Sequence, residues 1–493
     1  MNTQHFLAFD FGAQSARAIH GTLEANKLEI AEIYRFITGG TKILDSLQWD
    51  ILRFFNEIKF ACKKYVSECE EPLVGLGIDS WGVDFALLDS TGGLISNPYH
   101  YRDKRTDNIY DDAFKIVPKE IIYQKTGIQF MQINSLFQLI SMVRDKAPSL
   151  KFANSILFIA DFFHYLLTKR IACEYTLATT SQLYDLETHD WCYYLIKKFG
   201  LNPKIFPEII PPSTVLGPLL PSIAQEVGLT DVSVIAPACH DTAAAIAAVP
   251  ATHKDFIYIS SGTWSLLGAE LPTPLVSEES LQNNFTNEGG VFNTIRFLKN
   301  ISGLWILSEC KRMWDASAEK CSYEQLNTDA ELATPFQMFI DPDHHLFLNP
   351  ENMLESIRQF CKKTHQNAPE SRSEIVRCIL ESLAMKYRFV YENLKNILKR
   401  SFKTLHIIGG GSQNQLLSQF AANSTSLEVK TGPVEATAIG NILLQATSQN
   451  EQMKLSELRT IIRNSFNIQT LTPQDTAEWD DAYQQFLNII KRA

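Results

Sequence analysis

Two short stretches carry the residue types best suited to chemistry. In "FLAFDFGAQSARAIHGTL" (6–23), two strand-like runs are separated by Asp10, Gly12, Gln14, Ser15 and Arg17. Backbone N–H groups converging in a small polar turn can hold phosphate, and a neighbouring carboxylate can hold a metal ion. Ordinary hairpin punctuation would use the same residues. In "VSVIAPACHDTAAAIAAV" (232–249), an apolar strand runs into Cys239, His240, Asp241 and Thr242 and then an alanine-rich helix. Asp241 or Thr242 could be no more than the helix N-cap. Alternatively, Asp241 lies at the carboxyl end of a strand, where α/β proteins place ligands, and could take a proton from an attacking hydroxyl.

Other stretches are less specific. Gly12, Gly262 and the triplet Gly409–Gly411 each offer a turn in which backbone can approach a phosphate closely. No G-x-x-x-x-G-K-[ST] run is present, nor the catalytic loop of a protein kinase, and "GGGSQN" lacks dinucleotide-loop spacing. In "GIDSWGVDFALLD" (77–89), Asp89 reads as a turn residue, and Trp81 as either core or the wall of a sugar site. Arg102 and Asp103 lie in what is either a solvated loop or a fork and carboxylate facing polyol hydroxyls.

Positioning these residues requires an α/β scaffold. The first segment reads as strands 6–11, 17–23 and one from Glu29, followed by a helix with Ile51, Phe54, Phe55, Ile58, Cys62 and Tyr65 on one stripe. "LVGLGID" is then a strand, and this β-β-β-α-β order differs from a dinucleotide-binding start. "FIYISSGTWSLLGAEL" (256–271) echoes the opening hairpin when Gly12 is set against Gly262, which suggests two domains on one plan. The junction falls near 243–256, where a small-residue helix ends at Pro250. Later, Val376, Leu380, Leu383, Tyr387, Val390, Leu394 and Ile397 mark a long amphipathic helix. "TLHIIGGGSQNQLL" reads as strand, glycine turn, helix, and the last segment as a surface helix.

Composition narrows the classes. The 493 residues exceed one compact core, and 45% hydrophobic content with 30 Phe supplies ample material for two. A formal charge of −10 argues against nucleic acid as a partner. The longest apolar run, 156–167, contains Asp161 and His164 and is too short for a membrane span of about 20 residues. No secretory signal pattern opens the sequence, and nine scattered cysteines without metal-ligand spacing imply reduced thiols and a cytoplasmic location. Cys361 and Cys378 could lie close together.

Taken in order, the motifs "DFGAQSAR" (10–17), "GIDSWGVDF" (77–85), "YRDKRT" (101–106), "CHDTAAA" (239–245) and "SSGTWSLLG" (260–268) resemble the FGGY family of sugar kinases. "TNEGG" (286–290), "LKNISGLW" (298–305), "GGGSQN" (409–414) and "GPVEATAIGN" (432–441) extend the resemblance over nearly the whole chain. It implies an α/β, two-domain actin/Hsp70/hexokinase-like (ribonuclease H-like) fold with an interdomain cleft, divided 1–247 and 248–493. It implies ATP and Mg2+, with the γ-phosphoryl passing to the 1-hydroxyl of L-rhamnulose; L-fuculose or L-xylulose is the alternative ketose. By resemblance Ala13, Gln14, Ser15, Ala16 and Arg17 meet the phosphates with Thr263, Gly410 lies against adenosine, and Asp10 holds Mg2+ through water. Gly82, His240, Asp241, Thr242 and Asn300 line the sugar site, with Asp241 as the base. Arg17 either counters charge on the transferring group or pairs with an acid. Ala16 stands where glycine is expected, so its φ must be negative for the methyl group to be tolerated. A non-catalytic sensor and an Hsp70-like ATPase are the other readings; the second would need a peptide-binding β domain.

Overall fold

The computed structural model describes residues 3–317, 320–348, 350–450 and 452–493. By compactness the chain forms two units. The first is Met1–Ala248 with Glu270–Phe297 and Ala436–Ser465; the second is Val249–Ala269 with Leu298–Glu435 and Phe466–Ala493. The expected division is at 247/248; the chain first changes unit after Ala248 and then returns to the first unit twice. One returning piece is the helix Ala436–Thr447, nearly all of whose residues are buried. A helix buried on nearly every side needs cover all round, and this one packs on the strands Gln4–Phe11 and Leu73–Ser80.

The first unit is built on a six-stranded sheet in the spatial order Thr214–Pro218, Ser233–Ala236, Leu73–Ser80, Gln4–Phe11, Ser15–Glu24, Lys27–Ile37. Gln4–Phe11 is antiparallel to Ser15–Glu24 and parallel to Leu73–Ser80, which in turn pairs in parallel with Ser233–Ala236. The run Phe6–Phe9 is buried throughout, the continuous apolar pattern of a strand covered on both faces. Helix Ile51–Glu68 buries Ile51, Phe54, Ile58, Cys62 and Tyr65 of the expected stripe, leaves Phe55 half-buried, and opens on Asp50, whose carboxylate accepts from the Arg53 N–H. Between the third strand and this helix lies a hairpin, Gly40–Ile43 with Ser46–Trp49, that the sequence did not signal. Its residues are mostly exposed, so no alternation marked it. The apolar run 156–167 is a buried strand, Ser155–Phe158, followed by a largely buried helix, Ile159–Thr168. Among the described residues no helix is long and apolar enough to cross a membrane.

A second helix contact matters for the site. Gly440 lies in Ala436–Thr447 where an added Cβ would stand 1.8 Å from the Ala244 carbonyl oxygen, so the helix Asp241–Ala247 touches it backbone to backbone.

In the second unit, Phe256–Ser261 is antiparallel to Trp264–Leu271 and parallel to Thr404–Ile408, which pairs in parallel with Glu428–Thr431. Each unit therefore contains a hairpin whose first strand gains a parallel neighbour. The turns close alike, the Gly12 N–H donating to Ser15 O at 3.0 Å and the Gly262 N–H to Trp264 O at 2.9 Å. Helix Arg372–Leu398 begins with a reciprocal cap between Ser371 and Glu374. The final helix, Thr476–Ile490, buries Trp479, Ala482, Tyr483, Phe486 and Ile489, so one face belongs to the core rather than to the surface. All nine cysteines are free thiols, and Cys361 and Cys378, both buried, lie close enough to affect each other's ionisation.

Candidate active site

Three parallel strands end side by side in the first unit. Asp10 and Asp79 are register partners. Beyond them the Ser80 N–H donates to Cys239 O at 2.9 Å, the Trp81 N–H donates to Phe11 O at 3.1 Å, and Ser80 bridges His240 in parallel. Strand pairing thus holds residues 239–240 extended and releases the chain into a helix at Asp241. The carboxyl ends of the three strands deliver Asp10, Asp79 and Asp241 to one place.

Asp241 is the first residue of helix Asp241–Ala247, and the N-cap position belongs to His240, whose side chain makes no capping bond. The capping alternative for Asp241 or Thr242 is not what the chain adopts. Asp241 Oδ1 instead accepts from the Thr242 N–H at 2.5 Å and the Thr242 hydroxyl at 3.1 Å. Its side chain keeps 29% exposure. Loss of bulk water, and secondly the charge of Asp10, push its carboxyl up to about 7 against those hydrogen bonds.

Asp10 is nearly buried and accepts from Arg17 Nη2 at 2.7 Å across the hairpin. Arg17 is thus paired with an acid, one of the two roles open to it. Asp79 is fully buried; Asn441 Nδ2 donates to its Oδ2 at 2.6 Å, while Oδ1 has no hydrogen-bond partner among the described residues. Burial, then Asp10, raise its carboxyl well above the usual range.

The first loop is tied down from outside, the Thr38 hydroxyl donating to Gly12 O at 2.8 Å and the Thr38 N–H to Gln14 O at 3.1 Å. Ala13 is half-buried and Gln14 exposed, while Ser15 already opens the second strand. Ala16 pairs with Phe11 in that strand, is buried, and is not among the residues with positive φ. Its methyl group therefore replaces glycine without backbone strain.

Gly82 faces His240: a Cβ there would lie 3.0 Å from Thr180 Cγ2 and 3.3 Å from His240 Nε2. The next residue, Val83, has φ of 71° in a γ-turn closed by the Asp84 N–H on Gly82 O at 3.0 Å. A β-branched residue there is strained, and the surroundings enforce it, with the Ser135 hydroxyl donating to Val83 O at 2.6 Å. Trp81 is core. Its indole donates to Asp84 Oδ2 at 3.0 Å, as that of Trp49 does at 2.6 Å, and the two ring centroids are 4.1 Å apart. Burial pushes the Asp84 carboxyl up to about 6 against these donors. Asp103 is also structural, accepting from the N–H groups of Leu47 and Arg105 at 2.6 and 3.0 Å.

Thr263, Asn300 and Gly410 belong to the second unit. The Thr263 carbonyl accepts from the N–H groups of Gly303 and Trp305 at 3.1 and 3.2 Å. Asn300 is half-buried on strand Ile295–Ser302. Gly409 and Gly411 pack against Ser261, whereas none of the described residues lies within 4 Å of a Cβ built on Gly410.

Sequence reasoning missed several residues here. Glu174 Oε2 accepts from the Thr176 N–H at 3.0 Å, the Thr176 hydroxyl at 2.5 Å and the Cys239 N–H at 3.0 Å, and Thr176 Oγ1 accepts from the His240 N–H at 3.0 Å. This pair holds the turn that presents His240 and Asp241. Arg296 and Glu288 are buried beside His240. Asp79 had a readable signal, since "GIDS" ends in an acid on an apolar strand as "AFDF" does. The others are joined only by tertiary structure.

Two family models match the chain. The N-terminal domain of the FGGY family of carbohydrate kinases matches residues 5–248 and its C-terminal domain matches residues 257–448. The chain belongs to the FGGY family of carbohydrate kinases, which makes it a sugar kinase with ATP and a small sugar as substrates. Among curated relatives, the rhamnulokinase of Bacteroides thetaiotaomicron is 42% identical over 488 residues, 99% of this chain and 100% of that one. The rhamnulokinase of Bacillus subtilis is 38% identical over 470 residues, 95% of this chain and 96% of that one. Among solved structures, a gluconate kinase from Lactobacillus acidophilus superposes with a TM-score of 0.82 at 14% identity, covering 99% and 98% of the two chains. Plasmodium falciparum glycerol kinase with ADP gives 0.80 at 15% identity over the same shares. At such identities the likeness establishes the fold, the α/β fold of these two-domain kinases.

Proposed function

We propose that the protein transfers the γ-phosphoryl group of ATP to the 1-hydroxyl of L-rhamnulose, with Asp241 as the general base. The observation that carries the mechanism is the delivery of Asp10, Asp79 and Asp241 by adjacent strand ends, with His240 and Gly82 beside Asp241. The full-length likeness to rhamnulokinases favours the ketose.

Asp241 accepts the hydroxyl proton as the bond to phosphorus forms. A carboxyl raised to about 7 is a better base than an ordinary aspartate, and it points that basicity from a helix start fixed by strand pairing. Gly82, His240, Thr242 and Asn300 orient the sugar, with no side chain on Gly82 to fill the space next to His240. Ala13 to Arg17 and Thr263 hold the phosphates, and Gly410 takes the adenosine. Phosphoryl transfer asks for positioning and neutralised charge more than for covalent help.

The residues present fit Mg2+. Asp10 is a hard oxygen ligand, and the unpartnered buried Oδ1 of Asp79 lies on the neighbouring strand. Asp10 would hold the ion through water, and the ion would neutralise charge on the phosphates. Purified protein with ATP and Mg2+ should release ADP with L-rhamnulose and much less with L-fuculose or L-xylulose. Turnover that peaks on another ketose would overturn the substrate, and near-normal turnover by Asp241→Asn would overturn the base.

A further inference from the structure

His240 sits between two sets of partners. Arg296, fully buried, has Nη2 3.0 Å from His240 Nδ1 and donates from Nε to Gly289 O at 2.8 Å. Its Nη1 lies 3.2 Å from Glu288 Oε2, which is 3.6 Å from His240 Nδ1. Thr180 Oγ1 is 3.2 Å from the same Nδ1 and gives its single proton either there or to Thr176 O, 2.8 Å away. On the far side of the ring, Nε2 is 3.4 Å from Asp241 Oδ1.

A guanidinium can only donate, so Nδ1 must present its lone pair to Arg296. A neutral imidazole whose Nδ1 accepts carries its proton on Nε2. The geometry points to Arg296 as a positioning residue that locks His240 in the Nε2–H tautomer, so that its N–H faces Asp241 and the sugar hydroxyl beside it. Burial, and then the Arg296 charge, also hold the ring well below its ordinary basicity, so it does not become a cation paired to the base. Glu288 keeps the guanidinium in place. Without Arg296, Glu288 and Thr180 would favour a proton on Nδ1. The bare Nε2 would then face the Asp241 carboxylate, or a doubly protonated ring would bind it and weaken it as a base.

The assignment rests on Asp241 as base only for its kinetic consequence; the tautomer can be read with no substrate present. Protein labelled with 15N-histidine reports the ring nitrogens, the His240 signals being assigned by their loss in His240→Gln. The expected result is an accepting Nδ1 and a protonated Nε2 from about pH 6 to 8. Arg296→Met should lose that pattern and drop kcat/KM by about tenfold or more, mainly in kcat, on whichever ketose is phosphorylated. Arg296→Lys, which restores a charged donor, should recover both. If Arg296→Met fails to fold because Glu288 is stranded, Arg296→Met with Glu288→Gln removes both charges and tests the same point. A wild-type ring protonated on Nδ1, an unchanged ring in the Met variants, or lost activity with the tautomer retained would each overturn the assignment. If no ketose is phosphorylated but the ring behaves as stated, the proposed function fails and the tautomer assignment stands.

Discussion

Replacing Gly440 with alanine should damage the enzyme although it improves the helix. In an exposed helix interior, Gly→Ala gains about 1 kcal/mol from propensity. Here the added Cβ would stand 1.8 Å from the Ala244 carbonyl oxygen and 2.6 Å from its carbon, about 1.5 Å short of an ordinary C···O contact of ~3.3 Å. The obstacle is backbone, so no rotamer change relieves it, and the two helices must part. Overpacking of this kind costs about 3 kcal/mol or more, leaving a net loss on the order of 2 kcal/mol. The moved helix is the one that starts at Asp241, and a misplacement of about 1 Å can cost roughly 100-fold in rate. Thermal unfolding should show Tm lowered by several degrees, and a coupled ADP assay should show kcat reduced at least about tenfold. A Tm equal to or above wild type with unchanged kcat would refute the close approach of these helices and its role in placing the base.

Four further outcomes follow from the site. Asp241→Asn should lower kcat by about 10²- to 10⁴-fold while leaving ATP binding, read by calorimetry, within a few-fold. Chelation of Mg2+ should abolish turnover and added Mg2+ restore it, and Asp10→Asn should raise the Mg2+ concentration needed for half-maximal rate. Burial pushes the Glu174 carboxyl up to about 7 in the folded chain from an ordinary value near 4.5, so the folded state holds an extra proton between these values. Its stabilising contribution is complete below pH ~4.5 and is lost as pH rises through about 7, on the order of 3 kcal/mol in all. Glu174→Gln should flatten that part of the Tm–pH curve; an unaltered slope would refute it. Trp49→Phe removes a 2.6 Å donor from buried Asp84 and should destabilise by about 1–3 kcal/mol in denaturant titration.

The strands and helices that frame the site were legible because each has a local cause. The burial of Phe6–Phe9 and the stripe from Ile51 to Tyr65 show directly in the residue order, and Asp10 and Asp241 stood out as acids ending apolar strands. The hairpin at 40–49 was hidden because exposed polar residues carry no periodic mark. Asp79 was present as one acid among three, and only the register with Asp10 singles it out. The partners of Arg296, Glu174 and Asn441 are hidden for a different reason, although Asn441 closes the motif "GPVEATAIGN". Each acts on a residue far away in sequence, on His240, Cys239 and Asp79 respectively, and no local pattern encodes such a pairing. Trp81 shows the converse, since its type invited a sugar-stacking role, whereas the structure buries it and bonds its indole to Asp84.

The interleaving of the first unit sets an order of events during synthesis. Asp10, Asp79 and Asp241 all emerge from the ribosome before residue 249, yet the buried Asp79 acquires its amide donor only when Asn441 appears, and His240 is fixed only when Arg296 does. The helix that covers their strands, Ala436–Thr447, arrives later than almost everything else in the chain. A nascent chain therefore carries the acids long before it can organise them. An incompletely made chain lacks the partners that fix these acids and gains the last of them only when synthesis is nearly over.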